Sequence, residues 1–241
     1  MTQTVTGPNA ESCPASGRAQ ESLVQFITQI SKVGFMQKVD SQEMLKDIYS
    51  DEVSDRSLWK EIDHVNDLYR QFIEASPFLV LATQGENGID CSPRGDPPGF
   101  VRVASPQCIQ IPDRKGNNRL DSMRNILQNP SVGIIFLIPN VGETLRISGR
   151  AEILVDAELC ESFAVNGKPA SSVLSIQVDK VYYQCQKALV RSKLWGEVSG
   201  DRGELPTAGQ LAKHFSARNG VEFDGDSYDA GYSEHMKKNI Y

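Results

Sequence analysis

Ser76-Pro-Phe-Leu-Val-Leu-Ala-Thr83, followed by Gln84-Gly-Glu-Asn-Gly88 and Ile89-Asp-Cys-Ser92, decides the architecture of this chain. The apolar run 78–82, bounded by Pro77 and Gly85, reads as a buried strand. Gly85-Glu-Asn-Gly88 supplies hairpin chemistry, so Ile89 to Ser92 pairs back on it. Downstream, strands fit 99–104, 107–111, 132–138, 143–155 and 173–183. The fourth of these is amphipathic, with Leu145, Ile147 and Gly149 alternating with Thr144, Arg146 and Ser148. One helix interrupts the strands, from Asn118 to Gln128, with Leu120, Met123, Ile126 and Leu127 on one face and Asn129-Pro130 as its stop. Short strands separated by turn signals predict antiparallel β structure, a sandwich or a barrel.

Upstream, the pattern is helical. Residues 1–20 are rich in Ser, Thr, Gly, Pro and Ala and read as a tail; Leu23, Phe26, Ile27 and Ile30 predict a short helix ending near Gly34. A second helix is expected from Asp40, with Glu43 answering the cap, to about Tyr49. A longer one, capped by Ser54 or Asp55, places Leu58, Ile62, Val65, Leu68, Phe72 and Ile73 on one stripe and ends at Ser76-Pro77. Beyond Gly196, one short helical segment is expected near Gly209 to Arg218. No internal repeat is present.

The chain has 241 residues with 23% charged and 39% hydrophobic side chains, an ordinary globular composition. A net charge of −6 argues against a protein that coats nucleic acid. Cys13, Cys91, Cys108, Cys160 and Cys185 are scattered and never in CxxC spacing, which disfavours a zinc site or a disulfide framework. His64, His214 and His235 stand in three separate segments and give a multi-histidine metal site little support. The N-terminus carries no basic and apolar leader pattern, and no run approaches the length of a membrane span. The expectation is a cytoplasmic protein with no membrane or nucleic-acid partner.

Charge is unevenly distributed. Residues 91–124 hold six basic side chains (Arg94, Arg102, Arg114, Lys115, Arg119 and Arg124) against Asp96, Asp113 and Asp121, a local balance of +3. Five of the six are arginine, whose planar fork binds phosphate bidentately. Asn118 is read as opening the helix there, and helix N–H groups add to an anion site. The same spacing fits solvated turn arginines. No GxGxxG or GxxxxGK[ST] is present, so a phosphate site here is built from strands and loops. No nucleophile, triad or acid/base pair stands out. Cys91, Cys108 and Cys185 are read as packing residues, because no histidine stands beside them to activate a thiol.

Together, Ser76–Thr83, Asp90-Cys-Ser-Pro-Arg-Gly-Asp-Pro-Pro-Gly-Phe-Val101, the stretch from Ile111 to Pro130, Glu143-Thr-Leu-Arg-Ile-Ser-Gly-Arg-Ala151 and Lys187-Ala-Leu-Val-Arg-Ser-Lys-Leu-Trp195 closely resemble the pyridoxamine 5'-phosphate oxidase-like FMN-binding proteins. The resemblance spans roughly residues 40–212. It implies a mainly β chain with flanking helices, a six-stranded antiparallel split β-barrel that binds FMN at the interface of a homodimer. Domain limits follow as 1–39 for the tail and short helix, 40–75 for a helical lead-in, 76–195 for the barrel and 196–241 for an acidic extension.

Carried over by position, the resemblance lays Ser92-Pro-Arg94 along the flavin with Arg94 on its phosphate, and gives Asp113, Arg114, Asn118, Arg119 and Ser122 the remaining phosphate and ribityl contacts. Thr144 occupies the place where the family often has a ring-contacting glutamine. Arg191 and Trp195 approach the flavin from the partner subunit, and Asp96 is expected to orient Arg94. Classical members carry Ser-Arg-Lys ahead of the Asn-Pro that ends the helix. Here Asn118-Arg-Leu-Asp-Ser122 stands instead, which marks a divergent branch and leaves the pyridoxamine-phosphate substrate behind. The implied activity is an FMN-dependent oxidoreductase acting on a small aromatic or heterocyclic substrate, with no catalytic residue assigned. The alternatives are a flavin-binding protein for storage or sensing, and a fold that holds another ligand such as haem or a deazaflavin.

Overall fold

The computed structural model describes residues 38–49, 53–116, 118–196 and 205–239. The helix expected between Glu21 and Gly34 lies outside them. Two compact units divide the chain at Val53 and Ser54. In the first, α1 (Gln42–Ile48) is capped by Ser41, whose hydroxyl accepts from the Met44 N–H at 3.1 Å. Ser41 thus takes the cap expected of Asp40.

The second unit opens with a correction. The single helix expected over residues 54–75 is two, α2 (Asp55–Trp59) and α3 (Asp67–Ala75). Between them Ile62 exchanges both backbone hydrogen bonds with Val181, at 3.0 and 2.8 Å, and Val65 donates to the Pro106 carbonyl. A β-branched residue that finds a strand partner leaves the helix readily. Asn66 then starts a new one by accepting from the Tyr69 N–H at 2.9 Å. Leu58 and Leu68 of the expected stripe are exposed, whereas Val65, Tyr69 and Ile73 are buried.

Seven strands form one antiparallel sheet in the order β2-β1-β5-β6-β7-β4-β3, where the resemblance implied six. They are β1 (Phe78–Gly85), β2 (Gly88–Gly95), β3 (Arg102–Ser105), β4 (Cys108–Asp113), β5 (Ser131–Leu137), β6 (Thr144–Leu154) and β7 (Ser172–Gln184). The four-residue β3 stands as an edge strand paired only with β4. The deciding hairpin forms as read, with Leu81 opposite Ser92 and Gly85 opposite Gly88. Gly88 has φ 104°, a left-handed value that suits glycine. Alternation then sorts the side chains: Leu79 and Leu81 of β1, Leu145 and Ile147 of β6 and Ile109 and Ile111 of β4 turn into one core with Phe136 and Ile73.

Between β6 and β7 the register shifts at Ser148 and Gly149, leaving Asp179 as the extra residue of a bulge. A smaller cluster, Cys160, Phe163, Ala170 and Val173, packs beneath α5 (Ala157–Glu161).

The interrupting helix, α4, spans Asp121–Gln128 and not 118–128. Asn118 and Leu120 have φ near 57° and 58°, left-handed values that exclude them from a right-handed helix. Its buried residues are Ser122, Asn125 and Ile126, while Leu120 and Leu127 are exposed, against the expected apolar face. Asn125 donates to Thr83 Oγ1 at 3.1 Å, so this helix docks on β1 partly through a polar contact that an apolar pattern does not reveal. Asn129 ends it as expected. After β7 come α6 (Lys187–Ser192), α7 (Ala208–Ala217) with a Thr207/Gln210 capping box, and an α8 (Gly225–Asn239) that was not anticipated. No described helix is long and apolar enough to cross a membrane.

Candidate functional site

Alternation along β2 half-buries Asp90, Ser92 and Arg94 on the same face of the strand. Opposite them, β4 ends at Asp113 and the chain continues through Arg114, Lys115 and the left-handed Asn118 into α4. These segments enclose a cavity of about 410 Å³. Seven of the ten residues expected to bind cofactor line it: Ser92, Arg94, Asp113, Arg114, Asn118, Arg119 and Ser122. Sequence reasoning missed Lys115, Asp90 and Ser171. Lys115 was legible as part of the basic stretch and Asp90 through the period-two pattern. Ser171 carries no sequence signal; its N–H donates to the Asp113 carbonyl at 3.0 Å and brings it to the wall.

The arginines of the basic stretch divide by partner. Arg102 clamps the end of α5, donating to Ser162 Oγ and the Ser162 carbonyl, both at 3.1 Å, and lies over the Phe163 ring. Arg124 donates to the Arg119 carbonyl at 2.8 Å, and Arg119 pairs with Asp121. Arg114 Nε donates to Asp96 Oδ2 at 2.8 Å, and its Nη1 to the Phe163 carbonyl at 2.7 Å. Asp96 therefore holds Arg114 and not, as expected, Arg94. Arg94 is the exception: its Nε is buried with no hydrogen-bond partner among the described residues. An N–H left unpaired and out of water is costly, and a bound acceptor relieves that cost.

Burial pushes the Asp113 carboxyl above the usual carboxylate range, and the nearby Arg94 charge pulls in the opposite direction. The Ser122 hydroxyl is committed to Asp90 Oδ2 at 2.8 Å. The cavity is thus polar, cationic on one side and closed by α4 on the other, and its chemistry suits a compact anion carrying hydroxyls.

Thr144, Arg191 and Trp195 do not line it. Thr144 is buried at the start of β6, and its Oγ1 has no hydrogen-bond partner among the described residues. Arg191 lies on α6, and Trp195 Nε1 donates to the Val141 carbonyl at 2.8 Å. The packing roles given to cysteines need correction as well. Cys91 and Cys185 are exposed, and Cys108 is half-buried with its Sγ 3.4 Å from Ser175 Oγ. Side chains alternate out of the sheet at Cys91, and it edges both the cavity and a neighbouring groove. That groove has a floor of Val80, Ala82, Gly133 and Ile135, and on its far side Arg146 lies over the Tyr182 ring at 5.2 Å. Among the described residues no group of three or more His, Cys, Asp or Glu is placed to hold a metal ion.

A profile of the family described as Pyridoxamine 5'-phosphate oxidase matches residues 65–185, half of the chain. No curated protein matches it. Among solved structures, HupZ of Group A Streptococcus is similar at 17% identity and a TM-score of 0.42, covering 50% of this chain and 94% of that one. General Stress Protein 26 from Bacillus anthracis is similar at 18% identity and a TM-score of 0.37, covering 47% and 88%. A protein described as F420 Reductase has 18% identity and a TM-score of 0.36, covering 50% and 98%.

Proposed function

The chain belongs to the pyridoxamine 5'-phosphate oxidase family, and on that premise we propose that it is an FMN-dependent oxidoreductase acting on a small aromatic or heterocyclic substrate, as a homodimer with the cofactor at the subunit interface. One observation carries the reading: the buried Nε of Arg94, unpaired, in the wall of a polar cavity that also holds Lys115 and Arg114. A phosphate is the ligand whose oxygens match that set of donors. In this reading Arg94 and Lys115 bind the phosphate, Arg114 adds a fixed donor, and Ser92 and the Asp113 carboxylate orient the ribityl hydroxyls.

Ala82 offers only a methyl group and Gly133 no side chain on the floor of the adjoining groove, which leaves room for a flat ring beside Cys91. Arg191 and Trp195, which do not line the cavity of their own chain, then serve the partner's cofactor. FMN supplies the hydride or electron transfer when bound, and the protein's part is to bind it, orient it and shape the substrate's access. That division explains a site without a nucleophile or an acid/base pair.

Anaerobic titration of the FMN-loaded protein with reduced nicotinamide and with small heterocyclic two-electron donors tests the activity. Bleaching of the flavin absorbance by one donor class, with return of colour on adding an acceptor, is expected. A holoprotein inert to every donor indicates flavin storage or sensing and refutes the enzyme.

A further inference from the structure

We infer that Asp96, which lies outside the cavity wall, is a positioning residue for the anion site, fixing the Arg114 fork so that its third nitrogen is presented to a bound phosphate; this rests on the reading of the cavity as a phosphate site. Arg114 stands on the loop after β4, where a long side chain has rotamer freedom to lose on binding. Two of its nitrogens are already committed, Nε to Asp96 Oδ2 at 2.8 Å and Nη1 to the Phe163 carbonyl at 2.7 Å. Anchoring at two points fixes the plane of the guanidinium, and Nη2 remains for a ligand.

Both anchors are tied into the fold. The Asp96 side chain is 5% exposed and that of Arg114 is 19% exposed. The Asp96 N–H donates to the Pro77 carbonyl at 3.2 Å, which ties its loop to the start of β1. Phe163 belongs to the small cluster with Cys160, Ala170 and Val173. Asp96 also follows Arg94 by two residues, so one short segment sets both cations: Arg94 directly, and Arg114 through its carboxylate. Because Asp96 does not line the cavity, its charge faces Arg114 and not the anion.

Removing this carboxylate has two opposing effects on a bound phosphate. Loss of a negative charge nearby favours the anion, whereas release of the fork to pivot about the Phe163 contact weakens its hydrogen bond. The second dominates here, because a charge-assisted hydrogen bond depends steeply on direction, whereas the lost charge lies behind Arg114 and outside the cavity wall.

FMN and riboflavin are titrated in parallel into the full-length wild type, Asp96→Asn, Asp96→Glu, Arg114→Ala and the Asp96→Asn/Arg114→Ala double variant, with binding read from flavin fluorescence. Asp96→Asn is expected to weaken FMN about tenfold, the loss of one hydrogen bond to a charged group, and to change riboflavin by less than about twofold. In the Arg114→Ala background the same substitution adds no further loss of FMN. Asp96→Glu, which keeps the charge and displaces the fork, lowers the FMN-to-riboflavin preference by a smaller factor and serves as the test if Asp96→Asn does not fold.

Equal or tighter FMN binding by Asp96→Asn overturns the inference and leaves the phosphate site standing. Parallel loss of FMN and riboflavin, or an undiminished effect without Arg114, shows a structural role and also overturns it. An unchanged preference in Asp96→Glu, where that is the only folded variant, does the same. A wild type that binds FMN no better than riboflavin overturns the phosphate reading and this inference together.

Discussion

Replacing Arg94 with alanine is expected to weaken FMN binding by about 1.5–3 kcal/mol, roughly 10- to 150-fold in Kd. The expectation follows from how the cationic stretch is resolved in three dimensions. Arg102 is spent on the end of α5, Arg124 on the Arg119 carbonyl, and two of the three Arg114 nitrogens on Asp96 and Phe163. Among the described residues only Arg94 keeps a buried N–H without an acceptor, so a phosphate bond from its Nε replaces no protein contact. Arg119 provides the contrast. Its side chain is 78% exposed and already paired with Asp121, so Arg119→Ala is expected to lose less, even though the two residues look alike in the sequence. Fluorescence titration with FMN checks both. No loss at Arg94 would place the phosphate elsewhere, and equal losses would make Arg119 an equal ligand in the same cavity.

The second large effect concerns the scaffold. Gly149→Ala is expected to destabilise the protein by about 3 kcal/mol, the upper end for overpacking, lowering the thermal midpoint by roughly 6–12 °C. Glycine-to-alanine changes usually stabilise where the backbone tolerates them. Here the added Cβ would sit 2.1 Å from the Gln177 carbonyl oxygen and 3.2 Å from Ile176 Cγ2, so β6 and β7 must separate at the bulge that aligns them. The obstacle is backbone in the middle of a paired sheet and cannot swing away as a side chain would. Differential scanning calorimetry measures the shift; an unchanged midpoint would mean that the close approach at Gly149 is not a feature of the folded sheet.

The strands were legible because two local signals agreed on them: apolar runs with period two, and Gly, Pro or Asn at their ends. The hairpin from Phe78 to Ser92 is the clearest case. Helices were read less well, for physical reasons. The stripe from Leu58 to Ile73 has helical spacing, yet the bonds between Ile62 and Val181 come from a strand more than a hundred residues away and no local pattern announces them. α8 carries little apolar periodicity; it meets α7 through the close approach of Gly209 and Gly225 and through Asp229, which accepts from the Gly209 N–H at 2.7 Å.

At the site, residue types pointed to an anion, and seven of the expected ligands do meet around one cavity. Pairing was not legible. Asp96 is two residues from Arg94 but bonds Arg114, a contact between the residues that follow β2 and β4 that no local pattern announces. The left-handed turn at Asn118 and Leu120 was hidden as well, since leucine rarely adopts that conformation and its sequence context reads as helix.

The most direct measurement compares the affinities of the purified wild-type protein for FMN and riboflavin, which share the ring and the ribityl chain and differ in the phosphate. If Arg94, Lys115 and Arg114 hold that phosphate, FMN binds tighter by about 100-fold or more, the sum of at least two hydrogen bonds from charged groups. Equal affinities, or no binding of either flavin, would contradict the assignment of this cavity.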